Sequence, residues 1–120
     1  MSSPFADQHR KRASVHEAFA QAIESVANVE TPGWQVTALY YVAVRRISAY
    51  IAETQGEDPR THVARKALMK LDPKTQGLIP EYEVLESWSK ASRYKGGGIS
   101  KNNVLGAEKI LAKITTALAP

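Results

Sequence analysis

Apolar positions recur along this chain at intervals of three and four residues, the spacing of one helix face, and lack the alternating Val/Ile/Thr runs bounded by turns that mark strands. The pattern predicts an all-α protein. A first helix is expected from about His9 to Asn28, with Val15, Phe19, Ala22, Ile23 and Val26 as its apolar stripe and Arg12, Glu17, Gln21 and Glu24 opposite. Thr31-Pro32 opens a second helix, because threonine can cap free N–H groups and proline is tolerated where no N–H is needed. Gly56 is the expected stop. Between them Trp34, Thr37, Ala38, Tyr41, Ser48 and Ile51 make one stripe, and Val36, Tyr40, Ala43, Ile47 and Tyr50 a second. A helix apolar on two faces sits between partners, inside a bundle or partly in a subunit interface.

Asp58-Pro59 predicts a shorter helix from about Pro59 to Leu71, with Val63, Ala64, Ala67, Leu68 and Leu71 inward, ended by Asp72-Pro73. A loop to Ile79 precedes a helix from about Pro80 to Tyr94 that carries Tyr82, Leu85, Trp88 and Ser89 on one side. Gly96-Gly97-Gly98 breaks the pattern, since each glycine costs about 1 kcal/mol in a helix interior. Ser100 then caps a last helix with Val104, Ala107, Leu111, Ile114 and Leu118 inward. The expected architecture is an up-and-down four-helix bundle with one helix position split into two pieces, a single domain over residues 1–120 with its core at about 9–118.

Composition narrows the chemistry. The chain has 120 residues, 43% of them hydrophobic, which suffices for one self-supporting core. Zero cysteines exclude a disulfide framework, a cysteine-based zinc site, an iron–sulfur cluster and a thiol nucleophile. No metal or cofactor motif is present: there is no Walker loop, no His-Glu-x-x-His pair, no nucleophile elbow and no acidic calcium loop. The longest apolar run, Ala38 to Val44, is far short of the roughly 20 residues of a membrane span, and the N-terminus lacks the apolar stretch of a signal peptide, so no membrane association and a cytoplasmic location are expected. Sixteen Lys and Arg against twelve Asp and Glu leave a net charge of +4, which favours nucleic acid only where the charges share a face.

Three histidines remain as acid–base groups at neutral pH. His9 and His16 fall in a basic start, His9-Arg10-Lys11-Arg12, that reads as a solvated, frayed helix end or as a phosphate contact. Arg10 and His16 are six residues apart and leave the helix on different faces. His62 and Arg65 are three apart and share a face, so an imidazole and a permanently charged guanidinium could act on a phosphodiester, or could anchor their helix through Tyr or Glu. Arg45 and Arg46 lie in the most apolar helix, where at least one must reach solvent or a carboxylate. Lys90, Arg93, Lys95 and Lys101 could edge a basic groove for nucleic acid, and a surface helix end explains them equally.

The series Gly33-Trp34-Gln35-Val36-Thr37-Ala38-Leu39-Tyr40-Tyr41, Ala49-Tyr50-Ile51-Ala52, Thr61-His62-x-x-Arg65 and Tyr82-x-x-Leu85-x-x-x-Ser89-x-x-x-Arg93-Tyr94 resembles the HEPN superfamily, in particular its small prokaryotic members. The resemblance covers about residues 15 to 118. It implies a four- to five-helix bundle, frequent homodimers, and binding of RNA or nucleotides; many members are metal-independent ribonucleases of toxin–antitoxin or defence systems. Active members carry Arg-x4-6-His. Arg93 matches that arginine, but Tyr94 follows it and glycines 96–98 stand where the histidine belongs. The resemblance therefore implies a dimeric module that binds RNA, a nucleotide or an antitoxin-like protein partner. The alternatives are a ribonuclease in which His62, Arg65 and Arg93 converge across a dimer cleft, and a purely structural interaction domain.

Overall fold

The computed structural model describes residues 3–26, 28–94 and 98–119. It is all-helical, with no strand among the described residues: α1 Pro4–Ala22, a 3-10 turn Ile23–Ser25, α2 Thr31–Gln55, α3 His62–Met69, α4 Pro73–Gln76, α5 Ile79–Tyr94 and α6 Lys101–Leu118. Together they form a body 43 × 24 × 23 Å across.

The helix ends differ from expectation where a side chain is used elsewhere. The first helix begins at Pro4, five residues before His9, because the Ser3 hydroxyl accepts from the Phe5 (3.2 Å) and Ala6 (3.5 Å) amides. It gives way to the 3-10 turn at Ile23 rather than continuing to Asn28. Thr31 does not cap α2; it is the first helical residue, and its hydroxyl donates back to the Val26 carbonyl at 2.8 Å, tying the interhelical turn together. Gly56 does end α2, at φ +72°, with its N–H on the Ala52 carbonyl. Asp58 does not open the third helix, since its carboxylate is taken by His9; Thr61 caps it instead, accepting from the Ala64 amide at 3.0 Å. The expected loop from Asp72 to Ile79 contains α4, whose first turn is capped by the Asp72 carboxylate on the Lys74 amide at 2.9 Å. The Ser100 amide donates to Asn103 Oδ1 at 2.9 Å as α6 opens.

α2 is the axis of the molecule and packs along α1, α5 and α6. Val36, Tyr40, Val42, Ala43, Ile47 and Ile51 on α2 have no accessible surface, so most of both apolar faces is covered by the chain itself, while Trp34 at the start of the helix stays exposed. Tyr82 and Leu85 of α5 and Ala107 and Ile114 of α6 are equally buried.

Two expected inward faces are overturned. On α1 the large apolar residues Val15 (59% exposed) and Phe19 (47%) face outward, and the face against α2 is Ala6, His9, Ala13, His16 and Ala20. Alanines at the seam let the two helices approach closely, and the bulky side chains cannot enter so narrow a gap. On α3 Val63, Ala64 and Ala67 are exposed and so is Leu71 beyond its end, whereas Arg65 and Met69 are buried and, of the expected inward residues, Leu68 packs half-buried on the core: the Thr61 cap sets the register that turns Arg65 inward.

Candidate functional site

The inward polar face of α3, the histidine-bearing seam of α1 and the tyrosines of α2 and α5 meet, so that all three histidines of the chain belong to one connected cluster.

Arg65 is its most constrained member. The side chain is buried (6% exposed), with Nε donating to Ser48 Oγ at 3.0 Å, Nη1 to the Tyr82 hydroxyl at 3.1 Å and to His62 Nδ1 at 3.3 Å, and Nη2 to the Pro59 carbonyl at 3.3 Å. Every one of these acceptors is neutral, and no carboxylate lies within ion-pair distance of Arg65 among the described residues. A buried charge usually has a paired opposite charge, because desolvation is otherwise uncompensated.

His62 lies at the mouth of this network. The Tyr40 hydroxyl is 2.9 Å from Nδ1 and 3.1 Å from Nε2, the Tyr82 hydroxyl is 2.8 Å from Nδ1, and Glu86 Oε2 lies at 3.4 Å. Burial pushes its pKa below the ordinary imidazole value; Glu86 opposes this and Arg65, Lys90 and Lys66 reinforce it. Glu86 is itself held by Lys66 at 2.9 Å. Tyr40 is pushed far above the ordinary phenol range by burial, by its hydrogen bond with Tyr82 and by Glu86, so it remains a protonated donor.

The second half of the cluster is formed by α1. His9 is buried, with Nε2 on Asp58 Oδ1 at 2.8 Å and Nδ1 on Arg45 Nη1 at 3.1 Å. Arginine can only donate, so Nδ1 accepts and the tautomer with its proton on Nε2 satisfies both partners. This corrects the reading of His9 and His16 as a frayed start: they are two helical turns apart on the face that meets α2. His16 packs on Tyr41, ring centroids 5.5 Å apart, and its pKa is lowered by burial, then by Arg45 and Arg12. Arg10 reaches Glu53 (2.5 Å), and Arg46 pairs with Glu17 (3.0 Å).

Arg93 closes the row. Its Nη1 donates to the Tyr41 hydroxyl at 3.1 Å and the guanidinium lies 5.7 Å from the Tyr41 ring centroid. Tyr41 and Tyr40 are adjacent, 5.2 Å between centroids, so His62 and Arg93 are connected through the two tyrosine rings. Lys90 is exposed on α5, and Lys101 is exposed at the first residue of α6 with no hydrogen bond or ion pair among the described residues. Lys95 and glycines 96 and 97 lie outside the described residues. Among the described residues no group of three or more His, Cys, Asp or Glu is placed to hold a metal ion, and no helix is long and apolar enough to cross a membrane.

Sequence reasoning missed His9, His16, Arg45 and the hydroxyls of Tyr40, Tyr41 and Tyr82. The usable signal was the 3-4-3-4 spacing of Ala6, His9, Ala13, His16 and Ala20, as regular as the Val15/Phe19 stripe but composed of small and polar residues.

The depressed pKa values of His62 and His16 have a thermodynamic consequence. The unfolded chain binds more protons than the folded one once pH falls below about 6.5, so stability is full above that pH, declines below it, and levels off when the folded values are passed. Thermal melts between about pH 7.5 and pH 5 are expected to show this decline, with a smaller loss in His62→Gln than in the parent; an identical loss in both would assign no part of it to His62.

No protein-family model matches this chain, and neither a curated protein nor a solved structure does.

Proposed function

We propose that this chain is a helical module that binds a phosphate-bearing ligand, RNA or a nucleotide, at the cluster assembled on α2, in keeping with the HEPN resemblance of its motifs. The observation that carries the reading is Arg65: a buried guanidinium held by neutral acceptors, with Lys66 and Lys90 close enough to act on His62, Arg45 on His9 and Arg93 on Tyr41. Phosphate is the ligand chemistry that a forked, preoriented guanidinium among further cations favours. On this reading the finer architecture is the up-and-down four-helix bundle, α3 and α5 being the two pieces of the split position on either side of the 72–79 segment, supported by the packing of α2 against α1, α5 and α6 and of α5 against α6. A cytoplasmic homodimer or an antitoxin-like partner belongs to the same proposal; the exposed apolar side chains Phe5, Val15, Phe19, Val26 and Trp34 support a protein interface.

A second reading is favoured by one observation. Burial keeps His62 in its neutral form, 3.3 Å from Arg65, so in a site converging across a dimer cleft it could accept the 2′-hydroxyl proton as that oxygen attacks phosphorus, while Arg65 and Arg93 stabilise the phosphorane charge; the P–O5′ bond then breaks to leave a 2′,3′-cyclic phosphate, and the departing 5′-oxygen takes a proton from water.

Anisotropy of labelled single-stranded RNA in EDTA tests both. Retention of intact RNA is expected, with log K falling against log salt by about 0.7 per phosphate contacted, and with a shallower slope in Lys90→Ala and Arg93→Ala. Cleavage abolished by both His62→Ala and Arg93→Ala would establish the ribonuclease instead. No retention at low salt would overturn both in favour of a structural domain.

A further inference from the structure

Beside the cluster, between the start of α2 and the end of α5, lies a cavity of about 480 Å³, within the range of small-molecule sites. Its walls include Trp34, Val29, Ile99, Glu30, Gly33 and Arg93. Trp34 is 55% exposed, between this cavity and the groove beside Phe19 and Val26, on a helix most of whose residues are buried, whereas the chain's other tryptophan, Trp88, lies against Gly106. Gly33 explains how the wall is drawn together. A Cβ at that position would lie 2.3 Å from Ser92 Oγ and 3.3 Å from Ser92 Cβ, so glycine here leaves room for the Ser92 side chain and lets the last turn of α5 present Arg93 near Trp34.

We infer that this cavity is a nucleobase site, in which Trp34 is the stacking platform and Arg93 joins it to the phosphate-binding cluster; the inference rests on the function proposed above and specifies its ligand. Arg93 belongs to both places, since it lines the cavity while donating to Tyr41, which packs on His16 and Tyr40. A nucleotide with its base on Trp34 would therefore place its phosphate on the Arg93 side. The chemistry of the walls suits a base better than a phosphate. Val29, Trp34 and Ile99 offer apolar contact to a flat ring, and Glu30 would repel an anion but accept from an exocyclic amino group. Adenine, with a broad π-face and such an amino group, meets both demands better than uracil.

The test uses the full chain carrying Trp88→Phe, in which all tryptophan emission comes from Trp34. Short oligoadenylate, short oligouridylate, AMP and inorganic phosphate are titrated separately in low salt and EDTA. Saturable quenching is expected from the adenine ligands, stronger than from oligouridylate, and none from phosphate. Quenching by oligoadenylate alone assigns the site to single-stranded RNA, and equal quenching by AMP assigns it to a free nucleotide. In parallel, Trp34→Leu is expected to weaken binding measured by anisotropy about 5- to 100-fold, the usual effect of removing a stacking aromatic. Binding without quenching, or with unchanged affinity in Trp34→Leu, overturns the nucleobase site and leaves the phosphate-binding reading standing. Absence of binding by the parent to every nucleotide and RNA overturns both. The quenching measurement keeps native Trp34 and so decides the question even where the leucine variant folds poorly.

Discussion

Replacing Arg65 with alanine is expected to lower the unfolding free energy by about 3–5 kcal/mol, seen as a shift of the urea midpoint. The size follows from what is left behind. Ser48 and Tyr82 have no accessible surface; Ser48 loses the donor that satisfies its oxygen and Tyr82 loses one partner while keeping His62, and a buried polar group left orphaned costs about 1–3 kcal/mol. The empty volume of the long side chain adds a cavity cost. Arg65→Met fills most of that volume and is expected to recover at least half of the loss, since an unpaired buried charge is itself unfavourable. Methionine cannot bind an anion, however, so this variant should fold and fail to retain RNA. An alanine variant within about 1 kcal/mol of the parent would mean that the guanidinium does not hold these partners in solution.

The second large effect concerns the seam between α1 and α2. Ala13 is 1% exposed there, and Ala13→Leu adds a branched side chain to a fully buried position of the seam, at an expected cost of about 2–3 kcal/mol. The same change should pull His9 and His16 away from Arg45 and Tyr41. Phe19→Ser, by contrast, is expected to stay within about 0.5 kcal/mol of the parent, because Phe19 already faces outward. Equilibrium unfolding of the two variants measures both. A costly Phe19→Ser beside a tolerated Ala13→Leu would restore the inward apolar stripe that hydrophobicity alone predicts for this helix.

That contrast shows what could be read in the residues. The all-helical class, the Gly56 stop and the inward stripe of α6 were legible because periodicity, glycine geometry and burial all point the same way there. α1 and α3 were not, because their buried faces are made of alanine, histidine and arginine, whose burial depends on partners distant in sequence. His9 meets Asp58, 49 residues away, and Arg93 meets Tyr41, 52 away; no local pattern announces either bond. His62 and Arg65 were visible as neighbours on one face, but the acceptors that fix Arg65 come from α2, α5 and the segment before α3. Asp58 was misread for a related reason: a cap and a distant hydrogen-bond acceptor are the same side chain in sequence.

The alanine seam has one more consequence, for the order in which the molecule comes apart. Most of α2 is buried between the other helices, so its backbone can open only when most of the core does, whereas α1 is wet on its outer face and joined to α2 through small side chains. α1 is thus the element that can peel away while the remaining helices stay together. Peeling would carry off His9 and His16 and leave Arg45 facing water without them. The cluster proposed to bind phosphate would then be dismantled by a local event that leaves most of the helical content intact, and the proposed binding would be lost at temperatures where the chain still counts as folded.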